Sequence, residues 1–238
     1  MKKLIITVVI IWMAIQAQAQ VKIGLRGAPQ ITWSKHDNKT TATNGTRINM
    51  AYGMVIDYYF TENYAIGTEF TIQRMSTNLN LSSTKFDSLV HTGGNKKYAS
   101  TDALTYDYRM SFIQIPIILK MRTKEIGNVR YYAEFGLNNG FMTRAKANVS
   151  MGAFELDNVN VNKPDDEDKF SVTPNDYDDG IAIYRAGLII GGGLQYNLFG
   201  NSLLVAGLRY DNGFTQFTQD DKWSATLNYI GLNIGVLF

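Results

Sequence analysis

The stretch with the most apparent chemical potential is "AGLIIGGGLQYNLF", residues 186–199, where Gly187, Gly191, Gly192 and Gly193 stand among apolar residues. Glycine-rich loops cradle phosphate through backbone N–H groups, but only where the glycines form a strand-to-helix turn. Here Leu188, Ile190, Leu194 and Tyr196 carry a period of two straight through the glycines, and no helical pattern follows. The stretch therefore reads as a strand. Nucleophilic chemistry is poorly supplied, because the chain has two histidines, His36 and His91, and no cysteine. Ser34 with His36, or Asp87 and Ser88 with His91, has the residue types of a hydrolase, yet neither lies near a glycine elbow or an oxyanion feature.

Carboxylates offer two further chemistries. Pro164-Asp165-Asp166-Glu167-Asp168 and Asn175-Asp176-Tyr177-Asp178-Asp179-Gly180 supply oxygen ligands of the kind calcium takes, but without the spacing and final glutamate of an EF-hand loop. A solvated acidic loop accounts for them. Glu69 and Glu134 have the residue type of a glycosidase pair, which requires a cavity wide enough for a sugar. No catalytic residue, cofactor or metal site is expected, and the chain is not expected to be an enzyme.

The elements that hold these residues carry the stronger signal. Lys2 and Lys3, the apolar run Leu4–Ile15 and the small-x-small Ala17-Gln18-Ala19 read as a cleavable secretory signal over residues 1–19, with a single mature domain over 20–238. Removing two lysines leaves 21 basic against 21 acidic residues, so charge gives no reason to expect a nucleic-acid partner. An exported chain without cysteine has no disulfide framework and must be stabilised by packing or by a membrane. Beyond the leader, no run reaches the roughly 20 apolar residues of a spanning helix. Spanning strands, however, hide their hydrophobicity in alternation.

Eight segments alternate with period two. They are 21–34, 48–60, 64–73, 112–121, 129–144, 182–198, 204–211 and 229–238. In the first, Ile23, Leu25, Ile31 and Trp33 oppose Gly24, Arg26, Ala28, Gln30 and Thr32. In the fifth, Tyr131, Phe135, Leu137 and Phe141 oppose Arg130, Glu134, Asn138, Met142 and Arg144. Upstream of the fourth the apolar phase switches to Tyr106, Tyr108 and Met110, which predicts a β-bulge near Ser111. The connections run long, short, long, short, long, short and moderate. That asymmetry predicts an all-β fold, an eight-stranded antiparallel up-and-down transmembrane barrel with short periplasmic turns and long extracellular loops.

An eight-stranded interior is just wide enough for side chains to fill. The inward glycines Gly24, Gly53, Gly67, Gly136, Gly191, Gly207 and Gly235 should make room for a lumen charge network of Arg26, Glu69, Glu134, Arg185 and Arg209. Glu69 and Glu134 are expected to pair with some of the three arginines, because enclosed charges must pair. Outward aromatics fall into two girdles, as at two membrane interfaces. Tyr58, Phe60, Tyr64, Tyr131, Tyr196 and Phe238 lie at the short-turn side, and Trp33, Phe141, Tyr184 and Tyr210 lie toward the long loops.

With the strands placed, "FIQIPIILK" (112–120), "YYAEFGLNNGFM" (131–142), "GLIIGGGLQYNLF" (187–199), "LRYDNGFTQF" (208–217) and the ending "GLNIGVLF" resemble the PorT-like family of outer membrane β-barrels of Bacteroidetes. The most specific element is Phe112, Gln114, Ile115, Pro116, Leu119 and Lys120, with Gln114 where the family commonly has an acid. The resemblance implies an eight-stranded barrel in the cell outer membrane, and its namesake is linked to type IX protein secretion. It further implies outer membrane lipid, the barrel assembly machinery and secretion-system proteins as partners, the second through a C-terminal strand ending on Phe238. A structural or accessory role, a small porin-like channel and a surface ligand-binding barrel all fit this reading.

Overall fold

The computed structural model describes residues 21–36, 41–43, 45–81, 89–90, 97–100, 104–150, 154–156, 159–160, 170–172, 182–217 and 225–238. The expected leader, the Asp87, Ser88 and His91 group, and the acidic runs at 164–168 and 175–180 lie outside them, as does the side chain of His36. Eight long strands form the wall: β1 (Val21–His36), β2 (Arg47–Tyr59), β3 (Tyr64–Leu81), β4 in two parts (Leu104–Gln114 and Ile117–Arg122), β5 (Val129–Ser150), β6 (Tyr184–Asn197), β7 (Leu203–Gln216) and β8 (Ala225–Leu237). Each pairs antiparallel with its neighbours in sequence. β1 also pairs with β8, from Gly24 against Leu237 to His36 against Ala225, which closes the barrel and leaves no free edge.

Both termini of the barrel and its three tight connections share one end. In the β2–β3 turn the Thr61 hydroxyl accepts the backbone N–H groups of Asn63 and Tyr64 at 3.3 and 3.1 Å. The other two turns use Gly127 and Gly200, each at φ 65°, a conformation that disfavours any residue with a Cβ. The opposite end carries the long connections, two of which meet through a small ladder in which Phe154–Leu156 pairs with Lys97–Ser100.

Alternation assigns the faces as the sequence predicts. Ile66, Phe70, Leu137, Leu208, Ile230 and Leu232 are exposed on the outside. Arg26, Asp57, Glu69, Glu134, Arg185 and Arg209 are buried inside. Outward positions are apolar from Tyr64 to Ile72 along β3, Thr68 excepted, and from Ile48 along β2 to Phe60 just past its end. At roughly 3.3 Å per residue and a tilt of about 40°, that is a band of roughly 20–30 Å, the height of the apolar belt of a membrane barrel.

Several strands run beyond their expected ends. β3 continues to Leu81 rather than stopping at Gln73, β7 to Gln216, and β8 begins at Ala225. The cause is an inversion of polarity along the barrel. Above the lipid band the outside meets water and carries Arg74, Ser76, Arg109 and Lys146, all polar. The inside there is a packed apolar plug of Met75, Met110, Phe112, Ala145, Phe217, Ala225, Leu227 and Tyr229. The phase change at Tyr106–Met110 belongs to this inversion. β4 keeps its own alternation, with Tyr108, Met110, Phe112 and Gln114 all turned inward. A register shift does occur at Ser111/Phe112, but the extra residue is Thr143 in the facing strand β5. The bulge turns Arg144 outward, correcting its expected inward place, and Ala145 takes the inner position.

Pro116 interrupts β4 because it has no N–H to donate. Both neighbouring strands compensate, with backbone and lipid-facing side chains. The Ile115 N–H donates to the Asn139 carbonyl at 2.7 Å, and the Asn139 amide returns a bond to the Ile115 carbonyl at 3.3 Å. From the other side the Thr68 hydroxyl donates to the Pro116 carbonyl at 2.9 Å. A proline that would otherwise leave carbonyls bare in hydrocarbon is thus satisfied within the wall.

Candidate functional site

Among the described residues, the lumen is where the fold gathers the ionisable residues expected to act together, and it is organised in layers. Nearest the short turns, the Arg122 guanidinium lies over the Tyr59 ring at 3.9 Å, and its Nε donates to the Glu62 carbonyl at 2.7 Å. Val55, Leu203 and Leu237 pack beside it as an apolar floor. From β4 to β2, Lys120 donates to Asp57 at 2.8–2.9 Å. Lys120 reaches Asp57 across the missing side chain of Gly67, where a Cβ would stand 2.5 Å from the Asp57 Oδ1.

The middle layer is a four-membered chain. Arg209 donates through Nη1 and Nη2 to both oxygens of Glu69 at 2.8 Å, a fork-to-fork contact. Its Nε and Nη2 also bond Glu134 at 2.6 and 3.0 Å. Arg26 completes the chain with Nη1 2.7 Å from Glu69. Counting Asp57 and Lys120, three cations face three carboxylates, all of them buried, so this part of the lumen is electrically balanced. Burial of this kind is tolerable only while every charge keeps its partner.

Of the three arginines, Arg26 and Arg209 thus pair with Glu69 and Glu134, and Arg185 does not join them. It stands nearer the long connections, paired with Asp211, and donates to the Leu227 carbonyl at 2.7 Å. Asp211 also accepts from the Asn138 amide at 2.6 Å, and that amide nitrogen lies 3.0 Å from the Gln114 Oε1. The neutral Gln114 fits here because Asp211 already engages Arg185; a second acid would be buried unpaired. Higher still, Gln73 donates to Gln30 at 3.1 Å, and Ser34 bonds Thr77 at 2.7 Å at the level of the apolar plug. Ser34 is therefore tied to a strand across the lumen.

The glycines divide into two kinds. At Gly191 a Cβ would stand 2.6 Å from Glu134 Oε1, and at Gly187 2.7 Å from Asp211 Oδ1. These residues make room for charge, as does Gly67. At Gly24, Gly53 and Gly136 the added Cβ would instead enter the backbone of the adjoining strand, so those glycines permit close strand approach rather than accommodate a lumen side chain. All three glycines of 191–193 lie within β6, which excludes the phosphate-loop geometry.

A cavity of about 30 Å³ lies between the floor and the middle layer, lined by Arg26, Glu69, Lys120, Tyr132, Glu134 and Asn233 among others. That is space for roughly two water centres and no more. A sugar cannot lie between Glu69 and Glu134, which share one guanidinium, so they are not placed as a glycosidase pair. Among the described residues no group of three or more His, Cys, Asp or Glu is placed to hold a metal ion.

The expected girdles occupy the outer wall. Phe60 stacks on Tyr64 with centroids 6.2 Å apart, and Tyr58, Tyr131, Tyr196 and Phe238 are exposed at the same end. Toward the long connections Trp33 stacks on Tyr210 at 6.2 Å, and Phe141 meets Tyr184 at 5.5 Å. The Tyr184 hydroxyl donates to Asn139 at 2.7 Å, which satisfies the remaining polar atom of that lipid-facing amide.

Asp57, Lys120 and Asp211 are lumen residues outside the network expected from the sequence, and Arg122 joins them at the short-turn end. The signal was available, since each sits at an inward position of its strand's alternation. Every inward ionisable residue within the apolar band had to have a partner.

Residues 16–219 match the model of the outer membrane protein beta-barrel domain family. Solved structures similar to the chain include Neisserial surface protein A, at 12% identity over 91% of this chain and 95% of that one, with a TM-score of 0.47. Ail, the attachment invasion locus protein of Yersinia pestis, matches at 14% identity over 92% and 99% with a TM-score of 0.39. The outer membrane protein OprG of Pseudomonas aeruginosa matches at 11% identity over 92% and 94% with a TM-score of 0.36. No functionally curated protein matches the chain.

Proposed function

The chain belongs to the outer membrane protein beta-barrel domain family, and from that premise we propose a non-enzymatic barrel with a closed lumen that serves the outer membrane as a structural or accessory protein. The observation that carries this reading is the filling of the lumen. Balanced ion pairs occupy its lower and middle layers, and an apolar plug of eight residues occupies the upper end. A barrel so filled leaves its surfaces to meet partners: the long connections on one side, the lipid-facing wall, and the strand ending on Phe238 as a handle for the assembly machinery. The filling weighs against the small-channel reading and against a ligand held inside. The resemblance of the 112–120 strand to the PorT-like family makes type IX secretion the first cellular process to examine.

The test is complementation of a strain lacking the gene. One variant carries Arg26→Gln with Glu69→Gln, which alters the lumen while keeping its charge balanced. A second replaces residues 82–103 and 151–181 by short turns. Folding of both is checked by the migration difference between boiled and unboiled samples on a detergent gel. The proposal expects the lumen variant to restore the parental phenotype, cargo secretion included where that is what the deletion disturbs, and the shortened variant to fail. Full rescue by the shortened barrel would refute action through the long connections.

A further inference from the structure

The Thr143 bulge has a consequence on the outer wall. The register brings Arg74 of β3, Ser111 of β4 and Arg144 of β5 into one row across three strands. The next row toward the long connections holds Ser76, Arg109 and Lys146. Arg74, Arg109, Arg144 and Lys146 are all exposed on the outside. Four cations therefore surround one small hydroxyl residue, with the two arginines of the lower row about 10 Å apart by strand spacing. Without the bulge Arg144 would point at the apolar plug; bulges commonly serve to re-aim a side chain in this way.

The opposing charge is small. Among the described residues only Asp107 pairs with the cluster, 3.1 Å from Arg109 and 3.6 Å from Arg47, and no carboxylate bonds Arg74, Arg144 or Lys146. Such concentration is also one-sided. On the upper outer face of β6, β7 and β8 the corresponding positions are Tyr184 and Ala186, Asn212 and Phe214, and Thr226. Directly beneath the cluster lies the apolar row Ile72, Ile113 and Phe141, with Ile72 and Phe141 exposed, Ile113 half-buried between them, and Tyr184 against Phe141. The cations thus stand one step above the hydrocarbon boundary, at headgroup height.

We propose that Arg74, Ser111, Arg144, Arg109 and Lys146 form a docking site for the phosphorylated headgroup of an outer-leaflet glycolipid, whose acyl chains lie along Ile72, Ile113 and Phe141. The occupant follows from charge and from continuity with the lipid-facing wall. Guanidinium forks suit phosphate oxygens, Ser111 supplies a hydroxyl donor between them, and the adjoining apolar row demands chains attached to that phosphate.

The test uses the full mature barrel in detergent micelles and native mass spectrometry, with lipid A bearing two phosphates as the probe. Wild-type protein is expected to retain it in a saturable 1:1 complex. Arg74→Gln with Arg144→Gln is expected to weaken retention at least tenfold, whereas Lys35→Gln with Lys124→Gln, which removes two charges elsewhere, leaves it unchanged. Folding of each variant is read from heat-modifiable gel migration. Lipid A stripped of phosphate is expected not to be retained, and a hundredfold excess of inorganic phosphate is expected not to displace the intact lipid. Equal retention of the stripped lipid, equal loss in the two double variants, or displacement by free phosphate would each overturn the proposal.

Discussion

Replacing Glu69 by glutamine removes one charge and almost no volume from the centre of the lumen. In the native barrel this carboxylate accepts both Nη atoms of Arg209 at 2.8 Å and stands 2.7 Å from Arg26. After Glu69→Gln, three buried cations face two carboxylates, and neither arginine can reach water without disturbing the wall. Removing one partner of a buried ion pair costs about 3–5 kcal/mol, chiefly because the surviving charge stays buried and uncompensated. The same reasoning makes the effect strongly coupled. With Arg26→Gln added, two cations again face two carboxylates, so the double variant should be more stable than the sum of the single losses by roughly 1–3 kcal/mol. Urea titration of the barrel in lipid vesicles, followed by the shift between folded and unfolded gel bands, measures both quantities. A loss below about 1 kcal/mol for the single variant, or strict additivity in the double, would refute the view that the network is held by charge balance.

Gln114→Glu places a second carboxylate beside Asp211, whose nearby cation Arg185 is already engaged, and should cost about 3 kcal/mol in the same titration; stability equal to wild type would contradict the account of why an amide stands there. Gly191→Ala sets a methyl group against the Glu134 carboxylate and should cost about 1–3 kcal/mol, whereas Gly27→Ala, with nothing within 4 Å of the new Cβ, should change stability by less than about 0.5 kcal/mol. Equal losses at the two glycines would remove the distinction between crowded lumen positions and open ones.

The barrel was legible because period-two alternation survives wherever one face meets lipid and the other is enclosed. Ile66, Phe70 and Ile72 against Gly67, Glu69 and Thr71 leave little freedom in phase. Strand ends were less legible, since the rule inverts above the membrane. Arg74 and Ser76 resemble a loop until Met75 and Thr77 are seen to fill the interior. The bulge was visible as a conflict of phase near Ser111, but a single strand cannot reveal which partner carries the extra residue, because that is a property of the pairing. Alternation places Arg185 in the lumen without naming its carboxylate, which is Asp211. Its height depends on register between β5, β6 and β7, and alternation alone fixes side, not height. Basic residues on the outer wall at Arg74, Arg109 and Arg144 likewise look scattered along the chain, and only the register gathers them.

The closed lumen is the claim on which the functional reading rests, and current across a planar lipid bilayer tests it most directly. Purified barrel, shown to be folded and inserted, should give no unitary steps in 1 M potassium chloride. Reproducible single-channel steps from that preparation, absent from the boiled control, would contradict it.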